Sequence, residues 1–355
     1  MTSVVPVAHP TPPEASVHSA TLTATLRALR PLLADLNTAP FADGAPLERL
    51  VMRADTPVVS SCLPLEPAGA KAVAPRATPL VAAFLDGIQR SRVVAYADGT
   101  PLIFATVAAA VRQRTNGHLE SWALPQVRRL LLASREALGT ARWEQLVAAG
   151  VAVVDVADHG APDGEQHEGL WHPHALRARA LELVALEREH LERQLAAQWC
   201  AEETRWLWID GGIAGNLALS ASSPAFGVVK SHNTLYGDAA AIRQVLALRE
   251  GERSPAFLVG YRPRQAVASW YLRLRAAAHG DPLFGLVRVE VAPPAEVAHG
   301  NGGHAQQAAF TALCDELSSA IVLERHPVSL PDARWDTLAY GVHAVETYLQ
   351  ALVGP

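Results

Sequence analysis

Lysine is nearly missing from this 355-residue chain, in which Lys71 and Lys230 are the only two and the other cations are arginines. Cysteine is also scarce: Cys62, Cys200 and Cys314 are far apart and form no CxxC pair, which argues against a zinc ribbon or a disulfide scaffold. No apolar run reaches the roughly 18–20 residues of a membrane span. The N-terminus lacks the basic start and apolar stretch of a secretory signal, so we expect a cytoplasmic protein with no membrane contact.

Long blocks of one charge are missing as well, and the formal net charge is -5. This acidic balance disfavours a protein that coats nucleic acid with a uniformly basic surface, although a local basic groove remains compatible with it. Walker A, GxSxG and HExxH patterns do not occur, and no GxGxxG follows a strand. The commonest ATPase, hydrolase, zinc protease and dinucleotide-binding classes are therefore excluded.

The chain is organised in three parts. Residues 1–20, rich in Pro, Ser, Thr and His, are predicted to form a flexible N-terminus. Residues 21–78 are predicted to form an N-terminal extension, with a helix from Ser19 to Asn37 and then an irregular connector. Residues 79–355 form the main domain, in which an early hairpin turns at Asp98-Gly99. Strands and helices then alternate, which predicts an α/β mixed sheet flanked by helices.

Several elements are predicted by apolar runs and helical periodicity. The predicted strands are VAVVDVAD, TRWLWIDGG, FGVVKSH, AFLVGYR, SWYLRLR and GLVRVEVA, and the predicted helices are 173–202, 238–249, 304–320 and 335–352.

Two long apolar strands are each followed by Asp-Gly, at Asp86 and at Asp210. A carboxylate on a rigid strand end, followed by small residues, lets a metal ion or phosphate come close to the backbone. A single Asp-Gly after a strand is usually a turn, but two on such strands favour a shared cation site. Oxygen ligands suit Mg²⁺ or Mn²⁺.

The long helix carries acidic side chains, one of which could complete such a site if it faces the sheet. These acids are Glu182, Glu187, Glu189, Glu192 and Glu202. Nearby arginines at helical spacing indicate that most of them are solvated ion-pair partners, and the pattern alone does not choose among them.

A basic stretch follows Lys230, which itself is either an edge lysine or a phosphate contact. The stretch includes Arg262, and in SWYLRLR the residues Tyr271, Arg273 and Arg275 share one face of a strand. Such a face could bind a nucleic-acid backbone with base stacking, or it could be an ordinary solvent-exposed strand face.

The ordered set FLDG, a Glu-rich helix, WLWIDGG, GVVKSH, SWYLRL, GLVRVEV and a C-terminal helix with a histidine resembles the NurA nucleases, over about Ala82 to Val345. No single motif is diagnostic. The resemblance implies an RNase H-like core, a homodimer, and a Mn²⁺- or Mg²⁺-dependent nuclease. Such an enzyme has single-strand endonuclease and 5′–3′ exonuclease activity, and it processes DNA ends with a HerA-type hexameric ATPase in double-strand break repair.

Carried over by position, the resemblance implies that Asp86, Asp210, a helical glutamate and His343 are catalytic and hold the metal ions. The glutamate matches Glu182 best, with Glu187 or Glu189 as alternatives. Lys230, Arg262, Tyr271, Arg273 and Arg275 would contact DNA. Trp335 stands where the family more typically has a tyrosine. If the family uses a hydroxyl group at that position, either Tyr340 supplies it in this chain or the chain lacks it.

Two other functions remain open at this level. Actin-like ATPases and sugar kinases use Asp-Gly loops on a related core, although the chain has no recognisable adenosine-site pattern. A family member without catalysis would only dock on a translocase, and the retained acids argue against that hypothesis.

Overall fold

The computed structural model of the protein describes residues 24, 27–34, 37–38, 58–60, 62–157, 172–260, 266–277, 281–325 and 339–353. The predicted flexible segment 1–20 lies outside these ranges. Residues 27–32 are helical, in agreement with the helix predicted near the N-terminus.

The described elements alternate between strands and helices after an initial run of strands. The strands are β1 (Asn37–Thr38), β2 (Val58–Ser60), β3 (Leu63–Pro64), β4 (Lys71–Ala72), β5 (Val81–Ala97), β6 (Thr100–Thr115), β7 (His118–Ser121), β8 (Gln126–Ala133), β9 (Val153–Asp155), β10 (Trp206–Asp210), β11 (Ala225–Val229), β12 (Thr234–Tyr236), β13 (Glu252–Arg253), β14 (Phe257–Val259), β15 (Val267–Arg273) and β16 (Leu286–Val291). The helices are α1 (Arg135–Leu138), α2 (Thr140–Ala148), α3 (Pro173–Glu202), α4 (Ala239–Leu246), α5 (Ala295–Ala298), α6 (His304–Glu324) and α7 (Tyr340–Val353).

One large mixed sheet organises the molecule, with the strand order β3-β14-β15-β16-β11-β10-β5-β6-β8-β9. The central strand β10 runs parallel to both β5 and β11, whereas β6, β15 and β16 pair antiparallel with their neighbours. The protein is therefore an α/β protein with a mixed sheet flanked by helices, as the sequence predicts. Because β5, β10 and β11 are parallel, the carboxyl ends of β10 and β11 lie at the same edge of the sheet, beside the part of β5 that contains Asp86, and open α/β sheets bind ligands at such an edge.

Three apolar clusters cover the sheet. The first lies under α3, where Leu191, Leu195 and Trp199 pack on alternate residues of β5, β6 and β10. The second lies on the opposite face, where α6 and α7 pack on residues that include Phe84 and Trp208. The third lies at the far end of β5 and β6, under residues 27–34, α1 and α2. With both faces covered, β15 and β16 are buried at every residue.

The hairpin predicted at Asp98-Gly99 is confirmed, since β5 and β6 pair antiparallel on either side of it. The expected strand end at Asp86 is wrong. Strand β5 continues through Asp86 and Gly87 to Ala97, because pairing with β6 on one side holds the backbone extended. Asp86 instead lies where the neighbouring parallel strand β10 stops, at Asp210.

The other predicted elements are confirmed with small shifts in their bounds, and helix α3 has the predicted bounds. The predicted start of the last helix before residue 339 lies outside the described residues. None of the described helices combines the length and the apolar character needed to cross a bilayer.

Candidate functional site

Asp86 and Asp210 stand side by side at the carboxyl edge of the parallel strands. Leu85 is paired with Ile209, and the two aspartates follow this pair, on strands that are about 4.8 Å apart. Two residues earlier, the rings of Phe84 and Trp208 pack together in the second cluster, with centroids 6.0 Å apart. Because side chains alternate along a strand, both carboxylates lie on the same face as these rings.

Lys230 neutralises one of the two aspartates. Its Nζ lies 2.9 Å from each carboxylate oxygen of Asp210, and both side chains are about one-fifth exposed. Lys230 comes directly after β11, whose Val228 is paired with Asp210, so the ammonium group reaches back across the strand ends. The sequence left Lys230 as either an edge lysine or a phosphate contact. It did not predict the direct ion pair between Lys230 and Asp210.

Glu192 reaches the same edge from helix α3. A β-carbon on Gly87 would overlap Oε1 of Glu192, so glycine in β5 allows the carboxylate to lie close to the strand backbone. Glu192 is only 9% exposed, and Nη1 of Arg188, one helical turn earlier, donates a hydrogen bond to it. The helix therefore brings a third carboxylate, with its own arginine as counter-ion, to the same end of β10 from the opposite face of the sheet, close enough for its charge to act on Asp86 and Asp210.

The electrostatics of the three acids show that they interact. Burial raises the pKa of Asp86 well above its ordinary value, the charges of Asp210 and Glu192 raise it further, and Lys230 opposes the shift. Burial also raises the pKa of Glu192 to about 7, with contributions from Glu189 and Asp210 and with Arg188 opposing. Desolvated carboxylates with raised pKa values and mutual repulsion are the condition in which a bound cation stabilises the charged forms most.

His343 lies on α7, the helix that covers the face of the two aspartates. The helix approaches β5 closely at Gly341, where a β-carbon would overlap the ring of Phe84. His343 is half-buried, and its Nδ1 is enclosed without a hydrogen-bond partner among the described residues. A buried ring nitrogen without a partner is costly unless a ligand or water satisfies it. His343 therefore lies on the helix that packs on the aspartate-bearing face of the sheet, and its Nδ1 is available to a ligand.

A cavity of about 260 Å³ adjoins the acids on the α3 side of the sheet. It lies between α3, the loop that follows Asp210, and β16, and Glu192 and Asp210 form part of its wall. Glu290 is buried in the wall, where it accepts a 2.8 Å hydrogen bond from the Ile213 backbone N–H and another from Nη1 of Arg288. Glu290 thus fixes the loop that follows Asp210.

The glutamates that the resemblance favoured lie elsewhere on α3. Glu182 is ten residues before Glu192, about 15 Å along the helix axis. It accepts a 3.3 Å hydrogen bond from Arg179, and its side chain is 42% exposed. Glu187 pairs with Arg128 of β8, and Glu189 lines the cavity. The structure thus brings Glu192 to the aspartate pair and does not bring Glu182 there.

The predicted DNA contacts on β15 are wrong. Arg273 is fully buried and donates hydrogen bonds to the carbonyl oxygens of Leu246, Leu248, Pro282 and Phe284. Tyr271 is also fully buried, and burial raises its pKa to about 12, while its hydroxyl accepts a bond from a backbone N–H.

Arg275 is 7% exposed and donates to the carbonyl oxygen of Arg325, so it is also a wrong prediction. The alternation of charge on this strand resembles an exposed face, but β14 and β16 flank the strand and both of its faces are covered. Arg262 and Trp335 lie outside the described residues, whereas Tyr340 begins α7 and is exposed.

Glu192 was among the five candidate acids, and its position on the helix carries a usable signal. The buried stripe of α3 runs through Val184, Leu191, Leu195 and Trp199, and Glu192 lies beside it. Glu182 lies off this stripe. Helical spacing would therefore have removed Glu182, but it would not have separated Glu192 from Glu187, which lies three residues after Val184 and four before Leu191. The role of Glu290 had no comparable signal, because its hydrogen bond to Ile213 joins residues that are far apart in sequence.

The donor set suits a hard divalent cation. Asp86, Asp210 and Glu192 supply only oxygen atoms, and the enclosed Nδ1 of His343 adds a nitrogen, which is a set that Mg²⁺ or Mn²⁺ accepts. Within the described ranges, no three His, Cys, Asp or Glu side chains already form a metal-binding group. Lys230 is the counter-ion of Asp210, and Arg188 is the counter-ion of Glu192. The residues therefore fit a metal site in their chemistry and their placement at one edge of the sheet.

Comparison with known proteins adds no assignment: no protein-family model matches the chain, and no curated protein matches it.

Proposed function

We propose that the protein is a Mn²⁺- or Mg²⁺-dependent deoxyribonuclease with an RNase H-like core, of the kind that the sequence resembles. The observation that carries the proposal is the group formed by Asp86 and Asp210 at the carboxyl edge of parallel strands, with Glu192 beside them. An actin-like or sugar-kinase activity has no comparable support, because the two aspartates are on adjacent, registered strands and the cavity wall carries both acids and arginines.

In this proposal each residue has a defined task. Asp86, Asp210 and Glu192 would hold a divalent cation, which would supply polarisation of the phosphodiester and activation of water for its hydrolysis. Lys230 leaves its ion pair with Asp210 and contacts a non-bridging phosphate oxygen, since a point cation suits phosphate. His343 binds the cation or orients the attacking water through its enclosed ring nitrogen. Asp86 is only 8% exposed, and its low-dielectric surroundings strengthen these interactions.

The proposed substrates are DNA ends and single-stranded DNA. The acidic net charge of -5 suits a nuclease that receives DNA from a translocase better than one that binds DNA tightly alone. The partner proposed from the resemblance is a HerA-type hexameric ATPase, with the nuclease acting as a homodimer in end resection during double-strand break repair.

The first prediction is that Asp86→Asn and Asp210→Asn each lower Mn²⁺-dependent cleavage of labelled single-stranded DNA by roughly 100-fold or more, because each removes a charged metal ligand. The measurement is the initial rate on a denaturing gel, with circular dichroism and thermal unfolding to show that the variants are folded.

Asp98→Asn is the matched control, since Asp98 lies in the exposed hairpin turn of the same strand pair. We expect it to cleave like the wild type. Wild-type activity in either Asp86→Asn or Asp210→Asn would disprove the proposed function.

A further inference from the structure

Lys230 neutralises the aspartate pair from within the protein. Its Nζ lies 2.9 Å from both carboxylate oxygens of Asp210, so one ammonium group takes up the space in front of the whole carboxylate. Its charge also acts on Asp86, where it opposes the rise in pKa that burial and Asp210 cause. One lysine therefore provides, for both aspartates, the charge compensation that a shared cation would provide.

Lys230 lies on the same face of the sheet as Asp86 and Asp210. Val228 belongs to the second apolar cluster and is paired with Asp210. Because side chains alternate along a strand, Lys230, two residues after Val228, returns to that face. It is the first residue beyond β11, which ends at Val229, and about one-fifth of its side chain is exposed. The ammonium group thus reaches the aspartates from a strand end, with solvent into which its side chain can turn.

The residue type at this position favours a contact that can be broken. Lys71 is the only other lysine in the chain, which uses arginine everywhere else. A guanidinium fork holds a carboxylate in a fixed geometry, as Arg253 holds Glu66 through two hydrogen bonds of 2.7 and 3.0 Å. Lysine is a point charge on a flexible stem, so it exchanges one anion for another more readily. Lys230 is therefore suited to an exchange between Asp210 and a phosphate.

The ion pair and a bound cation compete for the same oxygen atoms. If Nζ of Lys230 stayed in place, a divalent cation at the aspartate pair would lie beside a like charge in a partly buried site. Cation binding therefore requires Lys230 to leave Asp210, and the cost of breaking the ion pair lowers the metal affinity. The displaced ammonium group then needs a new anion, and a phosphodiester bound at the same edge of the sheet supplies one.

We propose that Lys230 couples metal binding to phosphodiester binding: it closes Asp210 in the absence of a cation, and it moves to a substrate phosphate when a cation takes its place. The inference rests on the proposed nuclease function, to which it adds a control on when the metal site fills. Each ligand favours the other through the same lysine, so metal raises the affinity for substrate by the factor by which substrate raises the affinity for metal. The protein then takes up metal tightly only when a DNA strand is in place.

The first test is isothermal titration of the full-length chain with Mn²⁺ in the absence of DNA. Lys230→Met keeps an apolar stem and removes the ammonium group, so the variant has no ion pair to break before the cation binds. We expect it to bind Mn²⁺ about tenfold more tightly than the wild type, since Asp210 is open in every molecule. Lys230→Arg should bind no more tightly than the wild type, because its guanidinium group keeps hold of the carboxylate.

The second test repeats the titrations with a saturating oligothymidylate whose phosphorothioate linkages resist cleavage. In the wild type the DNA draws Lys230 away from Asp210, whereas Lys230→Met has no lysine to move. We expect the DNA to strengthen Mn²⁺ binding by about tenfold more in the wild type than in the variant. This factor should equal the one that the variant gains without DNA, because both measure the same ion pair.

Lys71→Met is the matched control. It removes the same charge from the same kind of residue, and Lys71 also pairs with a carboxylate, at 2.6 Å from Oε1 of Glu66. Glu66 keeps Arg253 as a partner, and Asp210 keeps Lys230. We expect the Mn²⁺ affinity to stay within about twofold of the wild type, because salt screens a distant charge.

Acetylation of the wild type gives a measurement that needs no variant. Because the chain has only two lysines, peptide mass spectrometry reads the labelling rate of each one separately. An ammonium group held by a carboxylate reacts slowly, so Mn²⁺ should speed the labelling of Lys230 and leave that of Lys71 unchanged. An unchanged rate at Lys230 in saturating Mn²⁺ would overturn the inference, whether or not Lys230→Met folds.

Equal Mn²⁺ affinity in Lys230→Met and Lys71→Met would also overturn the inference. Weaker binding in Lys230→Met would overturn it too, since the lysine would then hold Asp210 in place for the metal. Either result in a protein that cleaves DNA would leave the proposed function intact. Conversely, tighter Mn²⁺ binding by Lys230→Met in a protein that cleaves no DNA would support the hold of Lys230 on the metal site and refute the nuclease. If neither the wild type nor Lys230→Met bound Mn²⁺, both proposals would fail.

Discussion

At the scale of single residues, the candidate site depends on carboxylates that are held in unfavourable surroundings. Asp86 is 8% exposed, and it shares the edge of the sheet with Asp210 and Glu192. Such an arrangement costs folding free energy in the absence of a cation and is retained where a ligand repays it. Glu290 is also buried, but it accepts hydrogen bonds from the Ile213 backbone N–H and from Arg288. It therefore holds the loop that follows Asp210 in place.

The resemblance favoured Glu182 as the helical metal ligand, whereas the structure places Glu192 near the two aspartates. We predict that Glu192→Gln lowers Mn²⁺-dependent cleavage by roughly 100-fold while Glu182→Gln has almost no effect, because only Glu192 lies beside the aspartates. Isothermal titration with Mn²⁺ on the same variants should show weaker binding for Glu192→Gln alone. A loss of metal binding in Glu182→Gln with normal binding in Glu192→Gln would show that the site lies elsewhere along α3.

The sequence predicted that the two aspartates lie close together, because in each case an apolar run is followed by Asp-Gly, which is a local signal. It did not identify Glu192, because the choice among five acids depends on which helix face meets the sheet. It misplaced Tyr271 and Arg273 because burial of a strand depends on strands and helices that are distant in the chain.

At the scale of secondary-structure elements, the site is assembled by two close approaches. Helix α3 meets β5 at Gly87, and helix α7 meets β5 at Gly341, on opposite faces of the strand. The bounds of α3 and the β5–β6 hairpin could be predicted from periodicity and turn residues. The passage of β5 through Asp86-Gly87 could not, because pairing with β6 and β10 overrides a local turn signal.

Gly341→Ala tests the contact between α7 and the sheet. The added methyl group would overlap the ring of Phe84, which is fully buried and has no room to move, so the helix must shift. We predict a loss of about 1–3 kcal/mol in the free energy of unfolding, measured with urea. Cleavage activity should fall more than the folded fraction does, because the shift also carries His343 away from the aspartates.

Gly260→Ala is the control for Gly341→Ala. Gly260 has no positive φ, and a β-carbon there would meet no atom within 4 Å, so the substitution adds a methyl group with neither a clash nor backbone strain. If Gly341→Ala left both stability and activity unchanged, α7 would not be seated on β5 as described.

At the scale of the whole molecule, one buried ion-pair network joins the segment around Glu66 to β13 and α6. Glu66 and Arg253 are both fully buried in their side chains, and two hydrogen bonds of 2.7 and 3.0 Å join them. Lys71 and the Ala256 backbone N–H also donate to Glu66, and Arg253 reaches Asp315 of α6. Residues 62–72 are therefore part of the folded body, which the irregular composition of this segment did not indicate.

The network predicts a pH dependence of stability. Burial alone would raise the pKa of Glu66, but the hydrogen bonds from Arg253, Lys71 and Ala256 outweigh it and lower the pKa to about 2. A lowered carboxylate pKa contributes stability that is fully present above the ordinary value near 4.5 and is lost as the pH falls towards 2. Glu66→Gln should cost roughly 3 kcal/mol at pH 7, because it leaves the buried charge of Arg253 without its main partner.

Chemical denaturation at pH 7 and at acid pH measures this dependence, with Glu316→Gln as the control. Glu316 is also on α6, but its pair with Arg76 is exposed, so its loss should change stability by less than about 1 kcal/mol. Equal stability of Glu66→Gln and the wild type at pH 7 would mean that the network does not secure the extension.

The order of the strands across the sheet is the property of the whole molecule that the sequence could not predict. Strand β16, late in the chain, pairs with β11, and this pairing brings Glu290 under the loop that follows Asp210. Such pairings depend on contacts between distant residues, which neither periodicity nor turn residues encode.

The central claim is that Asp86, Asp210 and Glu192 together bind one divalent-metal centre. Its most direct test is a crystal of the protein soaked in Mn²⁺, with diffraction data collected at the manganese absorption edge. We expect an anomalous peak beside Asp86 of β5 and the carboxyl end of β10, within ligand distance of both aspartates and Glu192, with Nζ of Lys230 displaced from Asp210. A map with no peak between the two aspartates, or with manganese only at another site, would contradict it.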